Sequence, residues 1–567
     1  MEDHKMKKVL LAIITIATIG LTTSCVETND PQGYDKLVTI DQAANAPGSY
    51  DNFVNTITSS LCGQFTYGGD SNYPYDFGYP SFFLQRDAQG QDIVPIGGNN
   101  WFSTYYEYFA GIAPTTARCQ VPWTYYYKWI KNCNTVISMA GAEPDATRIA
   151  GAGIAHAMRA MFYMDLARQY APKPYTVDKN AETVPIIKET TTTSEAQNNP
   201  RATNEAIFAF IIEDLNAAET MLADYKRPDK YTPDLSVVYG LKARAFLEMG
   251  EWANAETYAK KAMDGYTMMD EAAYTSRTTG FNTPNDSWMF AVVFKADDPN
   301  ITDNDADSSW GSQMIIEINH NPKVSGCGYA ANYGDPNVID RHLYETIPAT
   351  DWRKKCYVDF ALDELDTEDE VLEALKDYTD YPATVFNCGV VASDYGRVGG
   401  LELKFRPNGG VDGYNNQYIG FCVSVPLMRV EEMKLIEAEA AGRQDEARGK
   451  ALLEAFGKTR DANYTYGTHN EAYGNSGTSA FINEVWWQRR VELWGEGFAT
   501  FDIKRLQKGI IRSYAGSNHL ADCRFNTTET PQWMTWPIIQ TETNYNMACT
   551  NNPVATRPEG DSPEYVW

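Results

Sequence analysis

The segment Val237–Gly265, VVYGLKARAFLEMGEWANAETYAKKAMDG, has the residue pattern of two antiparallel helices. Small residues stand at the four positions where a tetratricopeptide repeat requires them: Ala243, Gly250, Ala255 and Ala262. Small side chains let the two helices approach closely, and a glycine at position 250 can end the first helix before the turn. The bulky positions of the repeat are filled by Tyr239 and Phe246. The segment therefore predicts one helical hairpin repeat.

A repeat of this kind buries its faces only by stacking on similar helices, so further helices are expected beside it. Apolar residues recur at helical spacing in four other segments, 125–139, 150–170, 204–222 and 426–441. Between them lie loops rich in Gly, Asn and Asp, with strand-like runs at Trp288–Phe294, Met314–Ile318 and Leu401–Phe405. The predicted fold class is mostly α: a tetratricopeptide-repeat-like helical bundle that carries a large irregular lobe of loops and short strands.

The N-terminus has the pattern of an export signal. Lys5, Lys7 and Lys8 precede the apolar run Val9–Leu21, and small residues lead to Cys25. A basic start, a short apolar stretch and a small-residue break are the marks of a secretory signal. The run is shorter than the roughly 20 residues that a membrane-spanning helix needs. The position of Cys25 favours a lipoprotein signal, in which Cys25 becomes the acylated first residue; a plain secretory signal with an incidental cysteine is the alternative.

These features predict five segments along the chain. They are a signal peptide at 1–24, a lipidated flexible tether at 25–36, an N-terminal region with tetratricopeptide-like helices at 37–270, an irregular insertion lobe at 271–425, and C-terminal helices with closing loops at 426–567. The tether is polar and contains Pro31 and Gly33, which suits a flexible linker.

The composition excludes several classes of partner and site. The formal net charge of −27 repels nucleic acid and anionic lipid headgroups, so neutral ligands are favoured and no nucleic-acid partner is expected. The 10 cysteines include no C-x-x-C pair, which excludes zinc ribbons and thioredoxin-type chemistry. Their scattered spacing predicts no particular disulfide.

Three segments resemble the SusD/RagB family: PLMRVEEMKLIEAEA at 426–440, EVWWQRRVELWGEG at 484–497 followed by FDIKRL at 501–506, and AMRAMFYMDLARQY at 157–170. The chain departs from the family pattern at Gln488, where a basic residue is usual, and at Ile503, where leucine is usual. Within 484–497 the charged residues stand at helical i, i+3 and i+4 spacing, which suits ion pairs. We interpret them as scaffold residues.

The resemblance implies a cell-surface lipoprotein, held in the outer membrane of a Gram-negative bacterium by its lipid anchor. It implies non-catalytic binding of oligosaccharides for delivery to a SusC-type TonB-dependent transporter. Some family members bind peptides, so a peptide-binding, RagB-like uptake lipoprotein is the alternative. A secreted glycoside hydrolase is a more distant one, because carboxylates are abundant but no catalytic pair stands out. No cofactor is required for a binding role.

Ligand sites of the resembled family lie on loops of the N-terminal part and of the insertion lobe. Residues 65–129 contain 19 Phe, Tyr or Trp in 65 positions, many of them beside Gly, Pro, Asn or Asp. Aromatic rings offer broad rigid surfaces to the flat C–H faces of sugars. Loop placement and composition point to eight candidate ligand-binding residues: Asp70, Tyr73, Tyr75, Asn100, Trp101, Trp310, Tyr329 and Tyr333.

Acidic residues of the lobe suggest one metal site. Asp303, Asp305 and Asp307 alternate along the chain and could gather oxygen ligands for a structural Ca²⁺. The segment lacks the glycine and the distal glutamate of an EF-hand loop, so a solvated acidic loop is the alternative.

Overall fold

The computed structural model describes residues 46–64, 73–107, 112–319, 328–392, 396–558 and 562–567. Residues from Asp51 to Trp567 belong to one unit, and of the unit before it only residues 46–50 are described. The predicted lipidation residue Cys25 and the predicted ligand residue Asp70 lie outside the described residues. No helix within the described ranges is long and apolar enough to cross a membrane.

Helices make up most of the regular structure. In chain order the α-helices are α1 (Ser49–Ser59), α2 (Ser81–Ala88), α3 (Ser103–Glu107), α4 (Ala117–Ala140), α5 (Ile149–Tyr170), α6 (Thr193–Ala196), α7 (Asn204–Met221), α8 (Leu235–Met249), α9 (Trp252–Ala262), α10 (Glu271–Tyr274), α11 (Pro299–Thr302), α12 (Trp310–Met314), α13 (Tyr329–Asn332), α14 (Arg341–Thr346), α15 (Glu368–Leu375), α16 (Pro382–Val391), α17 (Gly410–Tyr414), α18 (Gln417–Gly420), α19 (Val430–Gln444), α20 (Glu446–Arg460), α21 (Ala480–Glu492), α22 (Ala499–Arg505) and α23 (Gln540–Tyr545).

Strands are short and few. They are β1 (Ile93–Pro95), β2 (Trp288–Val293), β3 (Asn337–Ile339) and β4 (Ser424–Arg429), which form two antiparallel pairs, β1 with β3 and β2 with β4. Short 3-10 helices lie at Ser60–Cys62, Asn304–Ala306, Trp352–Cys356, Phe360–Glu364, Ala521–Cys523 and Gln532–Met534. The eight described cysteines are all free.

The predicted hairpin repeat is formed by α8 and α9. The side chain of Asp234 accepts hydrogen bonds from the N–H groups of Ser236 and Val237, which caps the start of α8. Gly250 ends α8 with a φ of 73°, a left-handed conformation that glycine adopts without strain, and its N–H bonds the Leu247 carbonyl. The small residues predicted for the helix contact are fully buried: Ala243, Ala255 and Ala262.

The long helices form a continuous stack. Each of α4, α5, α7, α8, α9, α19 and α20 contacts the next in this order. The four further helices predicted from hydrophobic spacing are observed as α4, α5, α7 and α19, so the mostly α, stacked-helix prediction is confirmed. The chain leaves the stack after α9 and returns at α19. The helices α9 and α19 pack directly on one another, so the residues between them form an insertion between two neighbouring helices of the stack.

The strand predictions for this insertion are partly correct. The run Trp288–Phe294 is observed as β2, whose partner β4 leads directly into α19. The run Met314–Ile318 forms no strand: Met314 is the last residue of α12, and residues 315–318 follow it as buried irregular chain. Leu401 and Glu402 form only isolated bridges, to Val338 and Tyr357.

The charged residues around α21 are buried scaffold residues, but their pairing differs from the expectation. Arg489 pairs with Asp502 at 2.7 Å, and Arg490 pairs with Asp92 at 2.6 Å. Neither pair lies within α21. Glu492, at the end of α21, is wholly buried among arginines from other segments. Helical spacing revealed that these side chains need ionic partners, but the partners come from outside the helix.

Candidate functional site

A cleft brings together residues that the sequence predicts for ligand binding but that lie far apart in the chain. Its volume is about 420 Å³, and the residues lining it are Gly98, Asn99, Asn100, Trp101, Ser103, Arg118, Tyr329 and Tyr333. Four of them are predicted ligand residues: Asn100, Trp101, Tyr329 and Tyr333. We name this cleft the aromatic cleft.

The β1–β3 pair positions the two sides of the aromatic cleft. Pro95 at the end of β1 is opposite Asn337 at the start of β3, so the loop after β1 runs beside the segment before β3. The N–H of Ile96 continues the pairing with a 3.2 Å hydrogen bond to the Pro336 carbonyl. The loop 97–101 is thereby held against α13, which contributes Tyr329. Backbone pairing between distant segments therefore builds the cleft.

The loop 97–101 wraps around one carboxylate. The N–H of Asn99 donates to Asp335 Oδ1 at 2.9 Å, and Asn100 Nδ2 donates to the Asp335 carbonyl at 3.0 Å. Asp335 is 2% exposed, and burial raises its pKa to about 6 although the bond from Asn99 acts in the opposite direction. Asp335 thus supports the loop from below.

Five predicted residues form a continuous series of ring contacts. Tyr73 stacks on Tyr75 with ring centroids 5.4 Å apart, and Tyr75 lies 5.8 Å from Trp101. Beyond Trp101 the series continues. The ring centroids of Trp101 and Tyr329 lie 6.1 Å apart, and those of Tyr329 and Tyr333 lie 4.9 Å apart. Trp101 and Tyr329 are partly exposed and Tyr333 is 46% exposed, so these three rings can offer surface to a ligand.

Two of the predicted residues support the cleft from within. Tyr75 is 4% exposed, and its ring contacts are with Tyr73, Trp101 and Arg118 rather than with solvent. Asn100 is also 4% exposed, and its amide is used inside the protein, because Oδ1 accepts from the N–H of Phe102 at 2.9 Å. The prediction of direct ligand contact is corrected for both: they position the loop and the Trp101 ring.

Trp310 lies in the core, which corrects its prediction as a ligand residue. Its side chain is 1% exposed and packs edge-on against Phe405 at 5.1 Å and Phe83 at 6.2 Å. The neighbouring small residues suggested a surface loop. In the structure Gly311 instead allows close packing, since a Cβ at this position would lie 2.3 Å from the Phe421 ring.

The predicted calcium ligands do not converge. Asp303 accepts a hydrogen bond from Thr302, and Asp305 accepts one from the Tyr418 hydroxyl at 3.0 Å. Asp307 is 8% exposed, and burial, with a smaller contribution from Asp305, raises its pKa to about 7. Among the described residues no group of three or more His, Cys, Asp or Glu side chains could hold a metal ion. The carboxylates therefore do not fit the oxygen-rich shell that Ca²⁺ requires.

The sequence reasoning missed Arg118 and Ser103 as lining residues. Asn99 belongs to the Gly98–Trp101 stretch that drew attention through its aromatic residue. Arg118 carries no such signal, because it lies in the first turn of α4 and its sequence neighbours resemble any helix start. Its place in the cleft follows from tertiary packing on Tyr75, 5.8 Å from the ring centroid.

A larger cleft of about 510 Å³ contains none of the predicted ligand residues. Charged residues of both signs line it, among them Glu107, Arg341, Arg397, Asp522 and Arg524. Phe360 is the only Phe, Tyr or Trp among its described lining residues. The aromatic cleft is therefore the better candidate for a ligand that binds by ring stacking.

Gly97 is required by the geometry of the loop, and its replacement gives a test. Its φ is 89°, and an added Cβ would lie 2.1 Å from Asp335 Oδ1. Gly97→Ala is expected to lower the free energy of unfolding by at least about 1 kcal/mol more than Gly141→Ala. Gly141 is the matched control, because its φ is 76° but nothing lies within 4 Å of its added Cβ. Equal losses in denaturant unfolding would contradict this account of the loop.

Two parts of the chain match models of known protein families. A family model described as "Starch-binding associating with outer membrane" matches residues 89–247, and the model of the SusD family matches residues 395–554. A comparison with curated proteins gives no match.

Similar solved structures cover nearly the whole chain. A SusD-like carbohydrate binding protein from Bacteroides vulgatus has a TM-score of 0.67 at 22% identity, covering 88% of this chain and 97% of that one. A SusD superfamily protein from Bacteroides thetaiotaomicron has a TM-score of 0.64 at 18% identity, covering 91% and 100%. A structure titled "Laminarin binding SusD-like protein" has a TM-score of 0.59 at 18% identity, covering 89% and 98%. At these identities the likeness establishes the fold.

Proposed function

Because the chain belongs to the SusD/RagB family, we propose that it is a non-catalytic, cell-surface binding protein for oligosaccharides. We further propose that it is held in the outer membrane by a lipid on Cys25 and delivers its ligand to a SusC-type TonB-dependent transporter. The names of the matched family and of two similar structures refer to starch, carbohydrate and laminarin. This supports a glycan as the ligand class.

The observation that carries the proposal is the ring series of the aromatic cleft. Trp101, Tyr329 and Tyr333 present ring surface along one open cleft, and sugars bind such surfaces through their flat C–H faces. Asn99 and Ser103 supply polar groups beside the rings for ligand hydroxyls. The rings are held in place from below by Tyr75 and by the Asp335 contacts, so little ordering is required when a ligand binds.

A binding survey of the soluble chain, begun after Cys25, tests the proposal. The protein is presented to an array of oligosaccharides and peptides, and binders are then measured by calorimetric titration. We expect oligosaccharides of a restricted linkage type to bind and to be recovered intact after incubation. Binding of peptides alone would favour the RagB-like alternative, and turnover that survives repurification would contradict the non-catalytic role.

Lipid anchoring gives a separate prediction. Cys25→Ala is expected to move the protein from the membrane fraction to the soluble fraction, because the acylated cysteine would carry the membrane attachment. The purified variant is expected to keep the melting temperature of the soluble chain, since the polar sequence around Cys25 predicts a flexible tether. Fractionation of cells that express each form measures this. A variant that still fractionates with membranes would contradict the lipoprotein interpretation.

A further inference from the structure

Arg118 is the only charged residue that lines the aromatic cleft within the described part of the chain. The other lining residues are glycine, asparagine, serine, tryptophan and tyrosine. Arg118 lies in the first turn of α4, a 24-residue helix with no acidic residue in that turn. Its guanidinium lies 5.8 Å from the centroid of the Tyr75 ring. The cleft therefore combines a row of rings with one fixed positive charge.

Among the described residues no carboxylate forms an ion pair with Arg118, and its buried Nε atom has no hydrogen-bond partner. The buried Arg159, Arg353 and Arg429, by contrast, each contact two or more carboxylates. An arginine without an internal counter-ion keeps the N–H donors of its two terminal nitrogens for an external acceptor.

The chemistry of the guanidinium indicates what that acceptor is. Its planar fork matches carboxylate and sulfate groups, with which it forms paired, charge-assisted hydrogen bonds. The guanidinium also lies over the Tyr75 ring, 5.8 Å from its centroid, which is within the range of a cation–π contact.

The net charge of −27 does not oppose this local preference. Exposed charges separated by more than about 8 Å are largely screened at physiological ionic strength, so groups close to the ligand decide its binding. Of the two described acids that act on Tyr329, Asp307 is 8% exposed, and Asp335 is 2% exposed with its Oδ1 accepting the N–H of Asn99. Asp335 lies beneath the loop and does not line the cleft.

We propose that the aromatic cleft selects oligosaccharides that carry an anionic group, and that Arg118 binds this group while the neighbouring rings stack on the sugars. The shared chemistry is a delocalised oxyanion, which a uronic acid supplies as a carboxylate and a sulfated sugar supplies as a sulfate ester. This inference rests on the proposed oligosaccharide-binding function and narrows its ligand class.

The test uses three sets of oligosaccharides of matched length: neutral, uronate-containing and sulfated. Calorimetric titration of the soluble chain is expected to give tighter binding for at least one anionic set than for the neutral set, and the two anionic arms identify the source of the oxyanion. Arg118→Gln is expected to lower the ratio of anionic to neutral affinity at least about tenfold, because a hydrogen bond to a charged group is lost. Arg118→Lys, which keeps the charge but not the fork, is expected to fall between the two.

Lys128→Gln is the matched control, since Lys128 is exposed on the same helix and the variant has the same change in net charge. It is expected to leave the affinity ratio unchanged. Melting temperatures of all variants identify any that fail to fold. If Arg118→Gln fails to fold, Arg118→Lys still tests the role of the guanidinium.

Three outcomes would overturn the inference. If neutral oligosaccharides bind as tightly as anionic ones and Arg118→Gln leaves the ratio unchanged, the anionic selection fails while the oligosaccharide function stands. If no oligosaccharide binds, the proposed function fails and the inference fails with it. If acidic peptides bind in an Arg118-dependent manner and sugars do not, the cleft is a peptide site.

Discussion

Replacement of Glu492 by glutamine is expected to lower the free energy of unfolding by about 3–5 kcal/mol, the cost of breaking a buried ion pair by removing one partner. Glu492 is 0% exposed, and its carboxylate accepts hydrogen bonds from Arg353 at 3.2 Å, from Arg429 at 3.2 Å and from Arg460 at 3.1 Å. Burial alone would raise the pKa of this carboxyl, but the three guanidinium groups outweigh burial and hold the pKa well below its usual range. Neutralising it leaves three buried positive charges short of a counter-ion.

Glu446→Gln is the control for the loss of one carboxylate charge. Glu446 is 54% exposed and pairs with Lys450 one helical turn later, at 2.6 Å. An exposed pair of this kind contributes little to stability, so the control is expected to unfold almost as the wild type does. Denaturant unfolding of both variants measures the difference. Similar small losses for the two would mean that the remaining acids of the cluster, Glu431 and Glu496, compensate the arginines without Glu492.

The second large effect is expected for Trp101→Ala, which should weaken oligosaccharide binding by about 30-fold or more while the melting temperature stays nearly constant. The ring lies at the centre of the ring series, between Tyr75 and Tyr329, and it is partly exposed to the cleft. Aromatic anchors at the centre of a binding surface typically cost 2 kcal/mol or more when truncated, and about 1.4 kcal/mol corresponds to a tenfold change in affinity. Calorimetric titration beside thermal melting measures both quantities.

Trp310→Ala provides the opposite behaviour and serves as the control. Its ring is buried against Phe83 and Phe405, so truncation is expected to lower the free energy of unfolding by about 3–5 kcal/mol. The fraction that remains folded is expected to bind the ligand. If Trp101→Ala instead melts much earlier and keeps its affinity, Trp101 is a packing residue and the ligand binds elsewhere.

Local spacing was sufficient to predict the helical parts of the fold. The hairpin at Val237–Gly265 depends on small residues at fixed intervals and on a glycine with left-handed φ, and both are properties of a short stretch of chain. Hydrophobic spacing predicted α5, α7 and α19 for the same reason. The run 314–318 was predicted incorrectly, because its apolar character reflects burial and it belongs to no strand.

The candidate site was predicted only in part, because its members meet through tertiary structure. Loop composition indicated Trp101, Tyr329 and Tyr333, which line one cleft in the structure. It could not separate them from Trp310, which packs in the core beside Gly311. Asn100 and Tyr75 lie in the right loops, yet neighbouring segments bury them.

The sequence by itself determined the stacked helices, the family motifs and the aromatic character of the loops that line the cleft, because each depends on residues that are close in the chain. The tertiary structure decided which of those aromatics share a surface. The pairing of β1 with β3 brings Trp101 to Tyr329 across more than two hundred positions, and α4 adds Arg118 to the same cleft. It also decided that Glu492 is surrounded by arginines from three other segments, since ionic partners are chosen by packing and not by spacing along one helix.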